Sequence, residues 1–294
     1  MTGMHRPRVG RRSKRQMTRG QRVWGWLAKR RVPVQILSTL SLNSYVTQRI
    51  TKGLPCPALN CYACPAASFA CPIGSIQDFS RGGKVPFYVL GVVGLVGVLV
   101  GRGSCGWLCP FGWFQELVYK IPVPKLRLPN RFNWSRYVIL AVLVVIIPYI
   151  TNSSWFCRLC PAGMLEGGIP WAIISVDIRQ LVGAFYWLKA VILGGFVAWM
   201  SVTRRPFCRW VCPLGALWGP FNGVSALRLQ VDQDACIECN RCQEVCPVNI
   251  RVYENPNDSS CIRCLACMRE CPTDCISVRS LNWSIEADRA ESPA

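Results

Sequence analysis

The sequence predicts an α-helical membrane domain of about four transmembrane helices in two similar halves, followed by a small cysteine-rich α+β domain. Three observations predict it: long uncharged apolar runs, a Cys-Pro phrase that recurs between them, and a dense set of cysteines near the C-terminus. The 294 residues suffice for one to three domains. Nineteen cysteines in a chain too long and too apolar for a small disulfide scaffold indicate metal binding.

The distribution of charge argues for a membrane rather than a nucleic-acid partner. The formal net charge is +19, and eleven Lys or Arg residues fall within residues 1–31 with no acidic residue among them. Long stretches then carry no charge, an alternation typical of membrane proteins with basic cytoplasmic loops. We therefore predict a basic cytoplasmic tail at 1–31 and no nucleic-acid binding.

Apolar segments of nearly the length that a bilayer requires, ~20 residues for a ~30 Å hydrocarbon core, lie at 85–101, 137–155 and 181–203. The third contains one charge, Lys189, which could snorkel towards the outer interface. A fourth segment, 32–48, is interrupted by Gln35 and Asn43, but dense basic charge precedes it and it closes the topology. With basic loops inside, both termini are expected in the cytoplasm and the membrane domain at 32–225. We expect a multi-pass protein of the bacterial cytoplasmic (inner) membrane.

The strongest motif occurs twice near the C-terminus. Residues 236–247 read CIECNRCQEVCP and residues 261–272 read CIRCLACMRECP, each the C-x2-C-x2-C-x3-C-P run of bacterial two-cluster ferredoxins. Three thiolates of one run bind three irons of a cubane, and the fourth ligand comes from the other run. We predict a first head set of Cys236, Cys239, Cys242 and Cys271, and a second head set of Cys261, Cys264, Cys267 and Cys246.

Residues 226–294 are thus predicted to form a two-[4Fe–4S] bacterial ferredoxin-like domain and a C-terminal tail. Zinc held by the same cysteines is the alternative. Cys275 belongs to neither set, and we expect it to be a small buried side chain.

A second motif, Cys-Pro-x-Gly, occurs four times, and its cysteines are Cys71, Cys109, Cys160 and Cys212. One copy follows each predicted span, which indicates an internal repeat of two halves. Proline suits the first turn of a helix, so each cysteine is expected at a helix N-terminus. Backbone N–H groups and the helix dipole favour a thiolate there.

Two cysteines from each half are predicted on the cytoplasmic side, and we call Cys105, Cys109, Cys208 and Cys212 the inner set. Four thiolates complete one cubane, and neither pair suffices by itself. We therefore predict a third [4Fe–4S] cluster that joins the halves. The alternatives are buried thiols, separate reducible dithiols, or zinc.

The outer loops carry six cysteines, which are Cys56, Cys61, Cys64, Cys71, Cys157 and Cys160. The spacing of Cys56, Cys61 and Cys64, with Cys71 further on, is similar to that of plant-type ferredoxins, which would bind a fourth cluster in the first loop. By the repeat, Cys157 and Cys160 would contribute instead. In an oxidising compartment, disulfides are the alternative.

The paired C-x3-C-P motifs beside apolar spans, followed by the two ferredoxin runs, resemble the membrane polyferredoxins over residues 32–280. These are ferredoxin-type integral membrane proteins of the NapH- and NosR-like kind and their methylamine-utilisation relatives. The resemblance implies electron transfer between the quinone pool and a partner redox enzyme, with both motif types facing the cytoplasm. It extends to the inner set and to both head sets, whereas the outer cysteines depart from the family's simplest pattern.

Missing motifs narrow the chemistry. The single histidine, His5, excludes a haem with paired histidine ligands within the chain, and no glycine-rich nucleotide loop or nucleophile–base arrangement is present. We predict an electron-transfer subunit of an oxidoreductase complex rather than a stand-alone enzyme, with a candidate quinone site near Trp107, Trp113 and Phe114. The alternatives are a membrane reductase that supplies electrons for metal-cofactor assembly, or a redox-responsive membrane sensor.

Overall fold

The computed structural model describes residues 19–44, 51, 53–180 and 182–279, which are mostly helical. Within these ranges, the strands Arg228–Val231 and Ile276–Arg279 form a two-stranded antiparallel sheet. Most of the predicted basic tail, the end of the first predicted span and the C-terminal tail lie outside the described residues. The predicted order of a helical region followed by a small α+β region is confirmed.

Two helices are long and apolar enough to cross a membrane, Asn130–Thr151 and Ala184–Val202. They occupy most of the predicted spans 137–155 and 181–203. The first of them contains a π-helical stretch, Leu140–Ile146, whose wider turns come just before a proline that cannot donate a backbone hydrogen bond.

The other two predicted spans correspond to shorter helices. Phe87–Val100 has 14 residues, which gives a length of about 21 Å at 1.5 Å per residue. The described part of the first predicted span forms the helix Arg31–Leu42. The topology of four full spans therefore stays a prediction.

The N-terminal helix Arg19–Lys29 packs against the C-terminal region that carries the ferredoxin runs, which we call the head (described residues 226–279). It contacts the helix Ala266–Glu270, and a Cβ on Gly25 would lie 3.8 Å from the methyl carbon of Met268. The first described part of the basic tail is thus a packed element of the fold, which its charge pattern did not predict.

All four Cys-Pro-x-Gly cysteines precede a helix, as predicted. Each has extended backbone with ψ between 112° and 122°, and the following proline occupies the first helical turn. The helices that follow begin at Pro72, Pro110, Pro161 and Pro213. Proline fits there because its missing N–H would have no partner inside the helix.

The two cysteine runs of the head adopt matching backbone conformations. In both, the residues that flank the middle cysteine have positive φ: Glu238 (48°) and Asn240 (58°) in the first run, Arg263 (49°) and Leu265 (59°) in the second. Such left-handed residues turn the chain sharply. Each run therefore curls around a point and ends in a short helix, Arg241–Val245 or Ala266–Glu270.

The head docks closely on the turn between Cys105 and Cys109. The indole N–H of Trp107 donates to the carbonyl oxygen of Arg263 at 2.9 Å. A Cβ on Gly106 would overlap the carbonyl oxygen of Ile262. Glycine is thus required at 106 by the close approach of two backbones.

This contact predicts that Gly106→Ala loosens the docking of the head. Overpacking of this kind costs about 1–3 kcal/mol, so hydrogen exchange at residues 259–264 should accelerate by about tenfold or more. Gly91→Ala is the matched control, because a Cβ at Gly91 meets nothing within 4 Å. Equal exchange rates in the two variants would contradict the docking contact.

Candidate metal centres

The inner set lies between the two halves, and its four cysteines are each only 5–6% exposed. Burial raises the pKa of Cys109 well above its ordinary value, and the neighbouring thiols of Cys208, Cys105 and Cys212 raise it further. The fold therefore brings together two pairs of cysteines, Cys105 with Cys109 and Cys208 with Cys212, that are about a hundred residues apart in the sequence.

Amide groups donate to two of the four sulfur atoms of the inner set. The side-chain amide of Gln115 donates to Cys208 Sγ at 3.0 Å, and the backbone N–H of Gly112 donates to Cys109 Sγ at 3.3 Å. Hydrogen bonds of this type stabilise the charged form of a thiol and tune iron–sulfur clusters.

Two buried arginines cross between the halves beside these thiols. Arg102, three residues before Cys105, donates from Nη2 to the carbonyl oxygen of Cys208 at 3.0 Å. Arg205, three residues before Cys208, donates from Nη1 to the carbonyl oxygen of Cys105 at 2.9 Å. Each guanidinium group lies close to the Cys-Pro-x-Gly glycine of the opposite half, at Gly215 or Gly112.

The inner set fits a [4Fe–4S] cluster by its chemistry. Burial raises the pKa of Cys105, of Cys109 and of Cys212, so thiolates there require compensating positive charge. Buried guanidinium nitrogens without a hydrogen-bond partner, Nε of Arg102 and Nη2 of Arg205, are available on the same side. Four thiolates, cationic neighbours and amide donors are what such a cluster requires, and loading would release protons.

A cavity of about 490 Å³ opens between the halves, and we call it the outer cavity. The cysteines that line it come in pairs from the two halves, and they are Cys61, Cys71, Cys157 and Cys160. Lys189 also lines it: a Cβ on Gly163 would lie 3.0 Å from Lys189 Nζ and 3.4 Å from Cys61 Sγ. The Lys189 ammonium group therefore faces the thiols rather than an interface.

The donor set of the outer cavity also fits a cluster. Burial raises the pKa of Cys61 to about 11 and that of Cys160 to about 12, and the Lys189 charge opposes both shifts. Four thiols beside one ammonium group in a cavity of this size can accept a cubane.

Both Cys-Pro-x-Gly motifs of the first half are followed by a glutamine, six residues after the cysteine. The side chain of each glutamine bonds a cysteine of the other half. Gln77 Nε2 donates to Cys157 Sγ at 3.1 Å, just as Gln115 Nε2 donates to Cys208 Sγ. Both glutamines are completely buried. Each therefore links its own half to a candidate ligand of the other.

In the second half, the side chains at the same position also bond residues of the other half. Glu166 accepts a hydrogen bond from the backbone N–H of Cys61 at 2.6 Å, and Trp218 Nε1 donates to the carbonyl oxygen of Val93 at 2.9 Å. Extending the repeat to CPIGSIQ, CPFGWFQ, CPAGMLE and CPLGALW would have identified this position. The crossing arginines could have been found in the same way, because R-x2-C-x3-C-P-x-G occurs twice.

Two of the six outer cysteines lie away from the outer cavity. Cys64 lines a separate cavity together with Trp113, and its Sγ lies 3.7 Å from Asn43 Oδ1. Cys56 is 1% exposed and does not line the outer cavity. This placement favours ligands from both halves over a plant-type site in the first loop, and the ligand assignment itself stays a prediction.

The head brings each predicted set of four cysteines together. One small cavity is lined by the first head set, and another is lined by the second head set. In both, the fourth cysteine comes from the opposite run. Cys275 is buried, as expected, and in addition lines the first cavity with its Sγ 3.4 Å from that of Cys271.

Among the residues that the structure describes, no three His, Cys, Asp or Glu side chains form a group that could hold a single metal ion.

Comparison with known families matches the cysteine pattern. A model of the 4Fe-4S binding domain matches four segments that make up about half of the chain, 68–88, 83–129, 132–173 and 184–230. Each segment contains one Cys-Pro-x-Gly copy. A second model of a 4Fe-4S binding domain matches 229–252 and 255–277, each with one cysteine run.

Several known proteins are similar in sequence. The uncharacterized protein MJ0750 of Methanocaldococcus jannaschii is 30% identical over 63% of this chain and 75% of its own length. The methylamine utilization ferredoxin-type protein MauN of Methylobacillus flagellatus is 26% identical over 53% of this chain and 52% of its own. The ferredoxin-type protein NapH of Haemophilus influenzae is 29% identical over 51% and 49%. No solved structure matches.

The repeated cysteine turns, the head and these similarities define a ferredoxin-type iron–sulfur protein of electron transfer. The chain belongs to the 4Fe-4S binding domain family, and MauN and NapH are among its relatives. The predicted resemblance to ferredoxin-type proteins and the predicted presence of several [4Fe–4S] clusters are confirmed.

We predict that Cys105→Ser lowers the iron content from about sixteen to about twelve per chain, with a matching loss of acid-labile sulfide. Removing one thiolate leaves the inner set short of a ligand. Cys56→Ser is the matched control, since this buried cysteine lies outside every candidate set that the structure brings together, and it should keep full iron. An unchanged iron content in Cys105→Ser would contradict an inner cluster.

For the outer cavity, Cys157→Ser is expected to lose about four irons, whereas Cys64→Ser should lose none. Metal and sulfide analysis of the two purified variants checks this. If the wild type carries only about twelve irons and Cys157→Ser the same, the outer cavity holds no cluster.

Proposed function

We propose that the chain is an integral membrane iron–sulfur protein that relays electrons between the quinone pool or a cytoplasmic donor and a partner oxidoreductase. Its proposed ligands are the inner set, both head sets and the four cysteines of the outer cavity. When bound, the clusters supply one-electron transfer, and the chain holds them, excludes water and sets their charge environment. The proposal is carried by the direct backbone contact between the inner set and the second head set.

That contact joins neighbours of the candidate ligands themselves. A Cβ on Gly106, the residue after Cys105, would lie 3.6 Å from the backbone nitrogen of Cys264. Trp107, between Cys105 and Cys109, bonds the carbonyl oxygen of Arg263, the residue before Cys264. Because electron tunnelling falls off steeply with distance, packed backbone between two ligand loops favours transfer.

The outer cavity connects to the inner set through one residue. Leu59 lines the outer cavity, and its carbonyl oxygen lies 4.0 Å from Cys109 Sγ. Cys61, a candidate ligand of the outer cavity, follows two residues later, so its Cα lies at most about 7 Å from that of Leu59. The arrangement supports a continuous series from the outer cavity through the inner set to the head.

Exposed apolar side chains support a position in the bilayer. Phe87, Leu95, Ile150 and Val191 are 61–78% exposed on the three apolar helices, a density that soluble surfaces rarely carry. With the basic loops inside, we propose four spans, the tail 1–31 and the head 226–294 in the cytoplasm, and the membrane domain 32–225 in the cytoplasmic membrane of a bacterium.

The cavity beside Trp113 and Phe114 supports a quinone partner. It measures about 270 Å³ and is lined mostly by apolar groups, including Pro110 of the inner Cys-Pro turn. Trp107, proposed for the same role, instead bonds the head. A ring bound at this cavity would lie next to the turn that holds Cys109.

The relay can be tested in proteoliposomes with an impermeant reductant outside and an impermeant acceptor, ferricyanide, trapped inside. We expect the wild type to reduce the trapped acceptor and Cys105→Ser to do so at least tenfold more slowly, because the middle of the series is missing. Cys56→Ser should match the wild type. Equal rates for Cys105→Ser and the wild type, at confirmed iron loss, would refute the relay.

A further inference from the structure

Arg205 is completely buried and takes an unusual backbone conformation. Its φ is +47°, in the left-handed region that non-glycine residues rarely adopt. Strain of this kind, on the order of 1–3 kcal/mol, persists only where the surroundings hold the residue in place. Its neighbour Arg204 is exposed and donates to the carbonyl oxygen of Glu244 at 3.2 Å.

The Arg205 guanidinium group lies over the Cys-Pro turn of the opposite half. A Cβ on Gly112 would lie 3.2 Å from Nη1 and 3.3 Å from Nη2 of Arg205, and the N–H of Gly112 donates to Cys109 Sγ. Nη1 bonds the Cys105 carbonyl oxygen, whereas Nη2 has no hydrogen-bond partner. A buried cationic N–H without a partner is thus left beside two ligand turns.

The same group is close to the head. Arg205 bonds the carbonyl oxygen of Cys105, and the next residue, Gly106, packs against the backbone of Cys264 in the second head set. Burial lowers the pKa of Arg205, but the charges of Glu116, Cys208, Cys109 and Cys264 outweigh it and raise the pKa. Two candidate ligands of the inner set and one of the second head set thus act on one guanidinium.

A single carboxylate partly neutralises this charge. Glu116 Oε1 lies 2.9 Å from Arg205 Nε and 2.6 Å from Arg31 Nη2. Burial raises the pKa of Glu116, but the two arginines outweigh it and the pKa is lowered. The carboxylate is therefore ionised at neutral pH and shared between the two arginines.

Arg102, its counterpart in the first half, is arranged differently. Its Nη1 donates to the carbonyl oxygen of Ser259 at 2.9 Å and its Nη2 to that of Cys208. Both terminal nitrogens are thus used to join backbone segments. Arg205 keeps one terminal nitrogen unused and has a carboxylate partner.

We propose that Arg205 is a positioning residue that supplies one positive charge to two metal sites at once, the inner set and the second head set. Glu116 sets the strength of that charge. The inference rests on the proposed function. An electron added at either site is stabilised by the same guanidinium, so the two reduction potentials change together.

The test is a redox titration of purified protein followed by EPR, in Arg205→Gln, Glu116→Gln and the matched control Arg204→Gln. The EPR components are assigned by their loss in Cys105→Ser and Cys264→Ser. Arg205→Gln should lower both potentials, such that the reduced-to-oxidised ratio at fixed potential falls about tenfold, or 59 mV for one electron. Glu116→Gln should raise both, and Arg204→Gln should change neither.

A fall of both potentials in Arg205→Gln and a rise of both in Glu116→Gln support the shared charge. A purely structural arginine would change iron content or stability without moving both potentials in the direction that the charge predicts. Unchanged potentials in fully loaded Arg205→Gln, or a shift at one site alone, would overturn it. If Arg205→Gln fails to load iron, Glu116→Gln decides, and unchanged potentials there overturn it. Missing iron in the wild type would instead indicate failure of the proposed function.

Discussion

The centre of this fold depends on one constraint: four buried thiolates at the inner set need positive charge and hydrogen-bond donors around them. Thiolates at the inner set are unfavourable in a low-dielectric interior unless positive charge and hydrogen-bond donors accompany them. The chain provides both from the opposite half: Arg205 for the turn of Cys105, Arg102 for that of Cys208, and Gln115 for the Cys208 sulfur. Each half therefore depends on the other for part of what stabilises its cysteines, beside its own donors such as the N–H of Gly112.

The exchange between halves extends beyond the inner set. The side chain at the sixth position after each Cys-Pro cysteine is bonded across the pseudo-symmetric boundary in all four copies, whether it is Gln, Glu or Trp. The residue type varies with the partner, a sulfur atom, a backbone N–H or a carbonyl oxygen. Position in the repeat, more than residue identity, thus determines which side chains hold the halves together.

The sequence predicted what depends on local spacing and missed what depends on long-range packing. The helices that begin after each Cys-Pro pair were predicted, and so was the fourth cysteine that each head set takes from the opposite run. Both predictions follow from the spacing within short motifs. The inward direction of Arg102, Arg205 and Lys189 was missed, because counting charges predicts a side of the membrane and gives no information on where a side chain points. Only the pattern R-x2-C-x3-C-P-x-G, which occurs in both halves, distinguishes Arg205 from the exposed Arg204 beside it.

The packing of the N-terminal helix Arg19–Lys29 against the C-terminal head has a consequence for biogenesis. The helix meets its partner, near Met268, only after some 240 further residues have been synthesised. Such distant contacts form late. Docking of the helix Arg19–Lys29 therefore has to follow synthesis of the head, and its contact with Met268 indicates that the head is in place.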